Sequence, residues 1–143
     1  MKLNELVLFD AGEFPLVHVT SMPACLEEVE RWIIEVEALL LIKREFVLVY
    51  PPLPPPEEED LQARKRLVLW LKVHRQWLAS LCRGMVLTAT EQPGNLAQLT
   101  GLAPVLAAVY GVPVQAVPGA ALAHNLALSL LTTGHRATTP IDT

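Results

Sequence analysis

An α/β fold built on one mixed sheet follows from three observations. Short runs of β-type residues alternate with longer stretches of helical period, the first two runs are joined by a connection of hairpin length, and each later run is followed by a segment long enough to be a crossover helix. A crossover returns a parallel strand, so the predicted order is ββαβαβαβα: an antiparallel hairpin feeding a parallel sheet. The chain has 143 residues, of which 52% are hydrophobic, enough for one such core, and it shows no internal repeat and no second core.

Leu6-Val7-Leu8-Phe9 and Phe14-Pro15-Leu16-Val17-His18-Val19 read as the antiparallel pair, with Asp10-Ala11-Gly12-Glu13 as the turn. Thr20 or Ser21 then offers an N-cap, Pro23 suits a first turn, and Glu27 and Glu28 favour the positive end of a helix reaching about Lys43. Its apolar stripe is Leu26, Val29, Ile33, Val36 and Leu40. The continuous apolar run from Phe46 to Tyr50 is a central strand, paired on both edges.

A second helix is expected over about 58–82. Leu67, Leu71, His74, Leu78 and Leu81 recur along one face, Trp70 and Trp77 flank it, Arg64, Lys65, Arg66, Lys72, Arg75 and Arg83 supply the other faces, and Gly84 is the stop. Met85-Val86-Leu87-Thr88-Ala89 is the next strand and Gln92-Pro93-Gly94-Asn95 a turn. A helix follows over 96–110, broken or kinked by Gly101 or Pro104, then an edge strand over 114–117 and a last helix over 120–131. The expected organisation is one domain over 1–131 and a flexible C-terminal tail over 132–143.

The net charge of -4 and the pI near 5.5 argue against a nucleic-acid-binding protein, which would carry a basic excess on one face. Met1-Lys2-Leu3-Asn4-Glu5 places an acid before any apolar run and lacks a small-residue cleavage site, so a cytoplasmic location is expected. Cys25 and Cys82 have neither metal-ligand nor redox-pair spacing and read as reduced, mostly packed thiols. Between Glu91 and Arg136 there is no Asp, Glu, Lys or Arg. Gly101, Pro104, Gly111, Pro113, Pro118 and Gly119 cut that stretch into pieces too short to span about 30 Å of hydrocarbon, so no integral membrane segment is expected. Helices in water usually carry charge. Part of this surface is therefore expected to be covered by a partner or by a second copy in a homodimer, with Leu122, Leu126 and Leu130 as the self-association stripe.

The element order and the length resemble the STAS domain of the anti-sigma-factor-antagonist type, a small bacterial regulatory fold, and the SpoIIAA-like domains related to it; the resemblance covers about residues 3–131 and rests on topology. It implies a regulatory Ser or Thr, phosphorylated by a partner kinase, in the loop after the strand that Phe46 to Tyr50 represents. Here that loop reads Pro51-Pro52-Leu53-Pro54-Pro55-Pro56-Glu57-Glu58-Glu59-Asp60, without Ser or Thr. The resemblance therefore implies no phosphorylation switch at this position, and the acids at the helix start could stand where a phosphate would be placed.

Three sites follow from the residues. Pro54, Pro55, Pro56, Glu57, Glu58, Glu59 and Asp60, with Arg64 at the start of the helix, form a candidate partner-binding patch, since prolines with fixed φ lower the cost of ordering on binding; helix capping and solubility are the plainer account. Tyr50, Trp70, His74 and Trp77 outline a possible ligand pocket for a small molecule or lipid, although a lone His among apolar residues is commonly a packed one. Arg64, Lys65, Arg66, Lys72 and Arg75 could hold phosphate-bearing ligands or nucleic acid, or could be a solvated face paired with the acid-rich first helix. No nucleophile elbow, phosphate loop, dinucleotide fingerprint or zinc spacing occurs, so catalytic residues, cofactor and metal are all expected to be absent. The expected role is a non-enzymatic regulatory or interaction module with a protein partner, the alternative being the small-molecule or lipid-binding domain.

Overall fold

The structure, a computed structural model, describes residues 2–20, 23–52 and 60–137, with side chains up to Thr132. Among these, five strands form one sheet: β1 (Phe9–Glu13), β2 (Leu16–Val19), β3 (Phe46–Tyr50), β4 (Cys82–Ala89) and β5 (Val114–Pro118) lie side by side in chain order. β1 runs antiparallel to β2 and every later pair is parallel. The helices are α1 (Leu26–Leu40), α2 (Leu61–Leu81), α3 (Asn95–Tyr110) and α4 (Ala120–Ala137). This is the mixed-sheet α/β arrangement that the alternation of runs predicts.

Sequential strand order combined with right-handed crossovers sends α1, α2 and α3 over one face of the sheet. Side chains alternate accordingly. Phe46, Leu48 and Tyr50 of β3 and Met85 and Leu87 of β4 enter the larger core with Trp32, Val36, Leu39, Trp70, Leu71, Leu78 and Tyr110 from the three helices. Val47, Val49 and Val86 point the other way and meet Leu16 with Ala123 and Ala127 of α4. Every residue of β3 is buried, which is why its sequence is continuous rather than alternating. Each Leu, Val or Phe so enclosed contributes about 1.5–3 kcal/mol relative to exposure.

Several boundaries differ from the sequence expectation, each for a local reason. β1 begins at Phe9 and includes the residues read as a turn, because the backbone N–H groups of Val7, Leu8 and Phe9 donate to the Glu35 carboxylate at 2.9–3.3 Å instead of to a neighbouring strand. The chain reverses at Phe14 and Pro15, joined by a cis peptide bond. Thr20 does not cap α1. Its hydroxyl donates to the Val7 carbonyl, the N-cap is Cys25 without a side-chain bond, and Glu28 reaches back to accept from the Ala24 N–H at 2.7 Å. Ser21 lies outside the described residues.

Gly84 is not the stop of α2: the helix ends at Leu81 and β4 starts at once, with Gly84 inside it. A Cβ at Gly84 would come 3.0 Å from Leu130 Cδ1 and 3.2 Å from the Pro113 carbonyl, so the small residue serves the close approach of α4 and of the chain entering β5. α3 runs unbroken past Gly101 and Pro104, which both lie on its exposed side. α4 continues beyond Leu131 to Ala137, so residues 132–137 of the expected tail are helical, and residues 138–143 lie outside the described residues.

Candidate interaction surface

α2 carries Arg64, Trp70, His74, Trp77 and the other basic residues to which the sequence assigns a function, and side-chain contacts to its neighbours fix it. Asp60 is its N-cap, the carboxylate accepting from the N–H groups of Gln62 at 3.0 Å and Ala63 at 3.1 Å. On the α1 side the Trp70 indole N–H donates to Glu37 at 2.9 Å, and Arg66 pairs with Glu30 at 2.6 Å. The Arg66 pair is half exposed and contributes little, about 0.2–1 kcal/mol; the buried indole is the stronger tie. On the α3 side Arg75 donates to the Ala108 carbonyl at 2.9 Å while its methylene stem lies over Gly111, which closes α3 with φ +76.

With its inner face and both flanks thus engaged, α2 presents an outer face of mixed character. Leu61, Leu69 and Val73 are 61%, 59% and 77% exposed, more than most apolar side chains of this protein. Lys65 and Lys72 stand among them, with no acidic partner among the described residues, and no Asp or Glu occurs in the sequence between Asp60 and Glu91. Beside this face a ridge on α3, formed by Leu102, Val105 and Val109 at helical spacing, is also exposed. Between the two helices lies a hollow floored by Val68, Leu71, Ala108 and Val109 and edged by Lys72 and Arg75. A second hollow along α2 is lined by Leu61, Arg64, Lys65, Val68, Leu69 and Lys72.

The acid-and-proline patch is only partly in view. Pro54, Pro55, Pro56, Glu57, Glu58 and Glu59 lie outside the described residues, as does all of 53–59. Its ends are placed: Pro52 follows the carboxyl end of β3, and Asp60 is spent as the cap of α2, next to Leu61 and exposed Arg64.

Of the aromatic residues suggested for a ligand pocket, Trp70 packs where three helices meet. Trp70 is buried and meets Trp32 of α1 edge-on at 5.7 Å, and Trp32 in turn lies 6.1 Å from Tyr110 of α3. His74 stacks on Trp70 at 4.7 Å, its Nδ1 2.9 Å from the Trp70 carbonyl, with half-buried Trp77 at 6.1 Å. Tyr50 is enclosed at the end of β3; burial first, then Tyr110 and Cys82, pushes its phenol well above the ordinary range. Tyr110 is pushed up to about 12 by burial. Burial likewise pushes the Cys82 thiol to about 12, against smaller opposing effects from hydrogen bonds to Gly84 and Leu48 and from Arg83. Cys82 is thus a packed thiol, whereas Cys25 is exposed at the start of α1.

The self-association stripe divides. Leu126 and Leu130 pack against the smaller core, while Leu122 is 50% exposed, as is Leu128 at 44%. The acids of α1 also divide. Glu30 pairs with α2 as expected of two oppositely charged helices, but Glu35, another acid of the same helix, is fully buried and bonded to Arg31 and the N-terminal backbone. Among the described residues no three His, Cys, Asp or Glu side chains come together as metal ligands, and no helix is long and apolar enough to cross a membrane.

Fold and surface define a single-sheet α/β protein with helices on both faces and one exposed apolar and cationic helical face. No family model, no curated protein and no solved structure matches the chain.

Proposed function

We propose that this chain is a non-enzymatic interaction module of STAS-like type, a bacterial cytoplasmic regulator that engages a protein partner through the outer face of α2, flanked by the Pro-rich acidic loop over 51–60. The observation that carries this reading is the exposure of Leu61, Leu69 and Val73 around Lys65 and Lys72, at the point where the loop delivers the chain to the Asp60 cap. Exposed aliphatic side chains clustered on one helix disfavour an isolated monomer in water, and cations standing among them select among partners by charge. The sheet order and the four helices are compatible with the STAS resemblance, and the loop after β3, where that family is regulated, adjoins the same face.

Two further points support an interaction role over a ligand-binding one. Tyr50 and Trp70 are enclosed by neighbours, and His74 is stacked on Trp70, so these rings are occupied with packing. The hollows on α2 and α3 are open and border on exposed aliphatic residues, as a docking face does.

The test is affinity purification of the tagged chain from its own host, comparing wild type with a Leu69→Asp, Val73→Asp variant. Both positions are exposed, so the variant should keep its circular dichroism. The reading predicts a near-stoichiometric protein partner that the variant loses at least tenfold. Equal retention by the variant, or native mass spectrometry showing a bound apolar small molecule and no protein partner, contradicts it.

A further inference from the structure

The hollow between α2 and α3 narrows the chemistry of the partner, an inference that rests on the interaction reading above. Val68 and Lys72 of α2 and Val109 of α3 line it, and exposed ridges run on from there, to Leu61 and Leu69 along the second hollow of α2 and to Leu102 and Val105 along α3. At 1.5 Å of rise per residue the ridges are about 16 Å and about 10 Å long, the length of two to three helical turns. Backbone groups in a helix interior are bonded mostly within the helix, so a partner meets chiefly side chains, through ridges and grooves rather than strand addition. The floor of Val68, Leu71, Ala108 and Val109 is apolar, and the rim carries Lys65, Lys72 and Arg75.

Charge decides what sits there. No acid occurs in the sequence from Leu61 to Thr90, and α3 has no charged residue at all, so nothing within these two helices balances Lys65 and Lys72. A second copy docked by a two-fold axis on this face would set these cations against the same cations. A flat lipid surface would meet the tops of the ridges, such as Val73, and leave the concave floor unfilled. We propose that the occupant is an amphipathic helix of another protein, with apolar residues at i, i+3, i+4 and i+7 seated on the floor and Asp or Glu along its edges facing Lys65 and Lys72.

The experiment selects binders to the immobilised full chain from a phage-displayed library of random 16-residue peptides, in parallel on wild type and on a Lys65→Glu, Lys72→Glu variant whose urea midpoint has been checked. The proposal predicts enriched sequences that combine a helical apolar period with net negative charge, captured at least tenfold less by the charge-reversed variant and released by added salt. Enriched sequences without acidic bias, or equal capture by the variant, overturn it. Sedimentation of the chain with phosphatidylglycerol vesicles, or a doubling of mass on concentration that Leu69→Asp abolishes, also overturns it, in favour of a membrane or a second copy. If no peptide is enriched, the Leu69→Asp, Val73→Asp purification separates the two levels. Partner loss there refutes only the acidic-helix assignment, and partner retention refutes the interaction reading itself.

Discussion

The stem of Arg75 lies so close over Gly111 that a Cβ at that glycine would sit 2.6 Å from Arg75 Cγ and 2.9 Å from its Cδ. With the Arg75 guanidinium donating to the Ala108 carbonyl, this contact clasps the end of α3 to the middle of α2 and sets one end of the hollow between them. Glycine is needed twice over, for the approach and for φ +76.

Gly111→Ala is therefore expected to destabilise the protein by about 1–2 kcal/mol from the left-handed backbone alone, with a further loss from displacing Arg75. Urea unfolding of Gly111→Ala, Arg75→Ala and the double variant separates the parts. Arg75→Ala in the Gly111→Ala background should recover the displacement component, and additive losses would show that the two residues do not touch in solution.

Glu35 is the second structural commitment that can be tested. A wholly buried carboxylate accepts from Val7, Leu8 and Phe9 and pairs with Arg31, so Glu35→Ala should cost about 3–5 kcal/mol, and Glu35→Gln less. The distinguishing readout is amide hydrogen exchange, which should rise first at Val7, Leu8 and Phe9. Unchanged protection there would contradict the contact.

Alkaline pH should destabilise the fold through groups that burial keeps protonated. Cys82 and Tyr110 are both pushed to about 12 and Tyr50 upward, so above the ordinary thiol range the unfolded chain releases protons that the folded chain retains. The contribution of these three groups is level below about pH 8 and falls as pH rises, more steeply above about pH 10 where tyrosines of the unfolded chain ionise. The urea midpoint measured from pH 7 to 11 checks the sign. At pH 8 a thiol reagent should titrate Cys25 promptly and Cys82 only after denaturation; equal reactivity would contradict the burial.

On α4, Leu126→Glu should unfold the protein, because Leu126 packs on the core of Val47, Val49 and Val86, whereas Leu122→Glu should leave folding intact. Sedimentation of the folded Leu122→Glu variant then reports whether α4 joins two copies.

Much of the fold was legible because the apolar periods are clean. The all-buried β3, the α2 stripe and the parallel crossovers need only side-chain spacing and connection length to be read. What the spacing hides is tertiary. Glu35 looks like one more acid on a charged helix, and only the fold reveals that three backbone donors from the N-terminal segment converge on it, which also explains why β1 starts late. Trp70 reads as a residue flanking the α2 stripe, yet with Trp32 it fills the space where α1, α2 and α3 meet. The candidate interaction face was half legible. Its cations stand out in the sequence, but the exposure of Leu61, Leu69 and Val73 depends on which side of α2 the sheet and neighbouring helices leave bare.

The most direct test of the docking face is site-specific photo-cross-linking in the host cell, with a benzophenone amino acid placed at Leu69 of α2 or at exposed Gln115 of β5. The account predicts a discrete heavier adduct from position 69, absent from position 115 and lost when Lys65 and Lys72 are both changed to Glu. Adducts from position 115 with none from position 69 would contradict it.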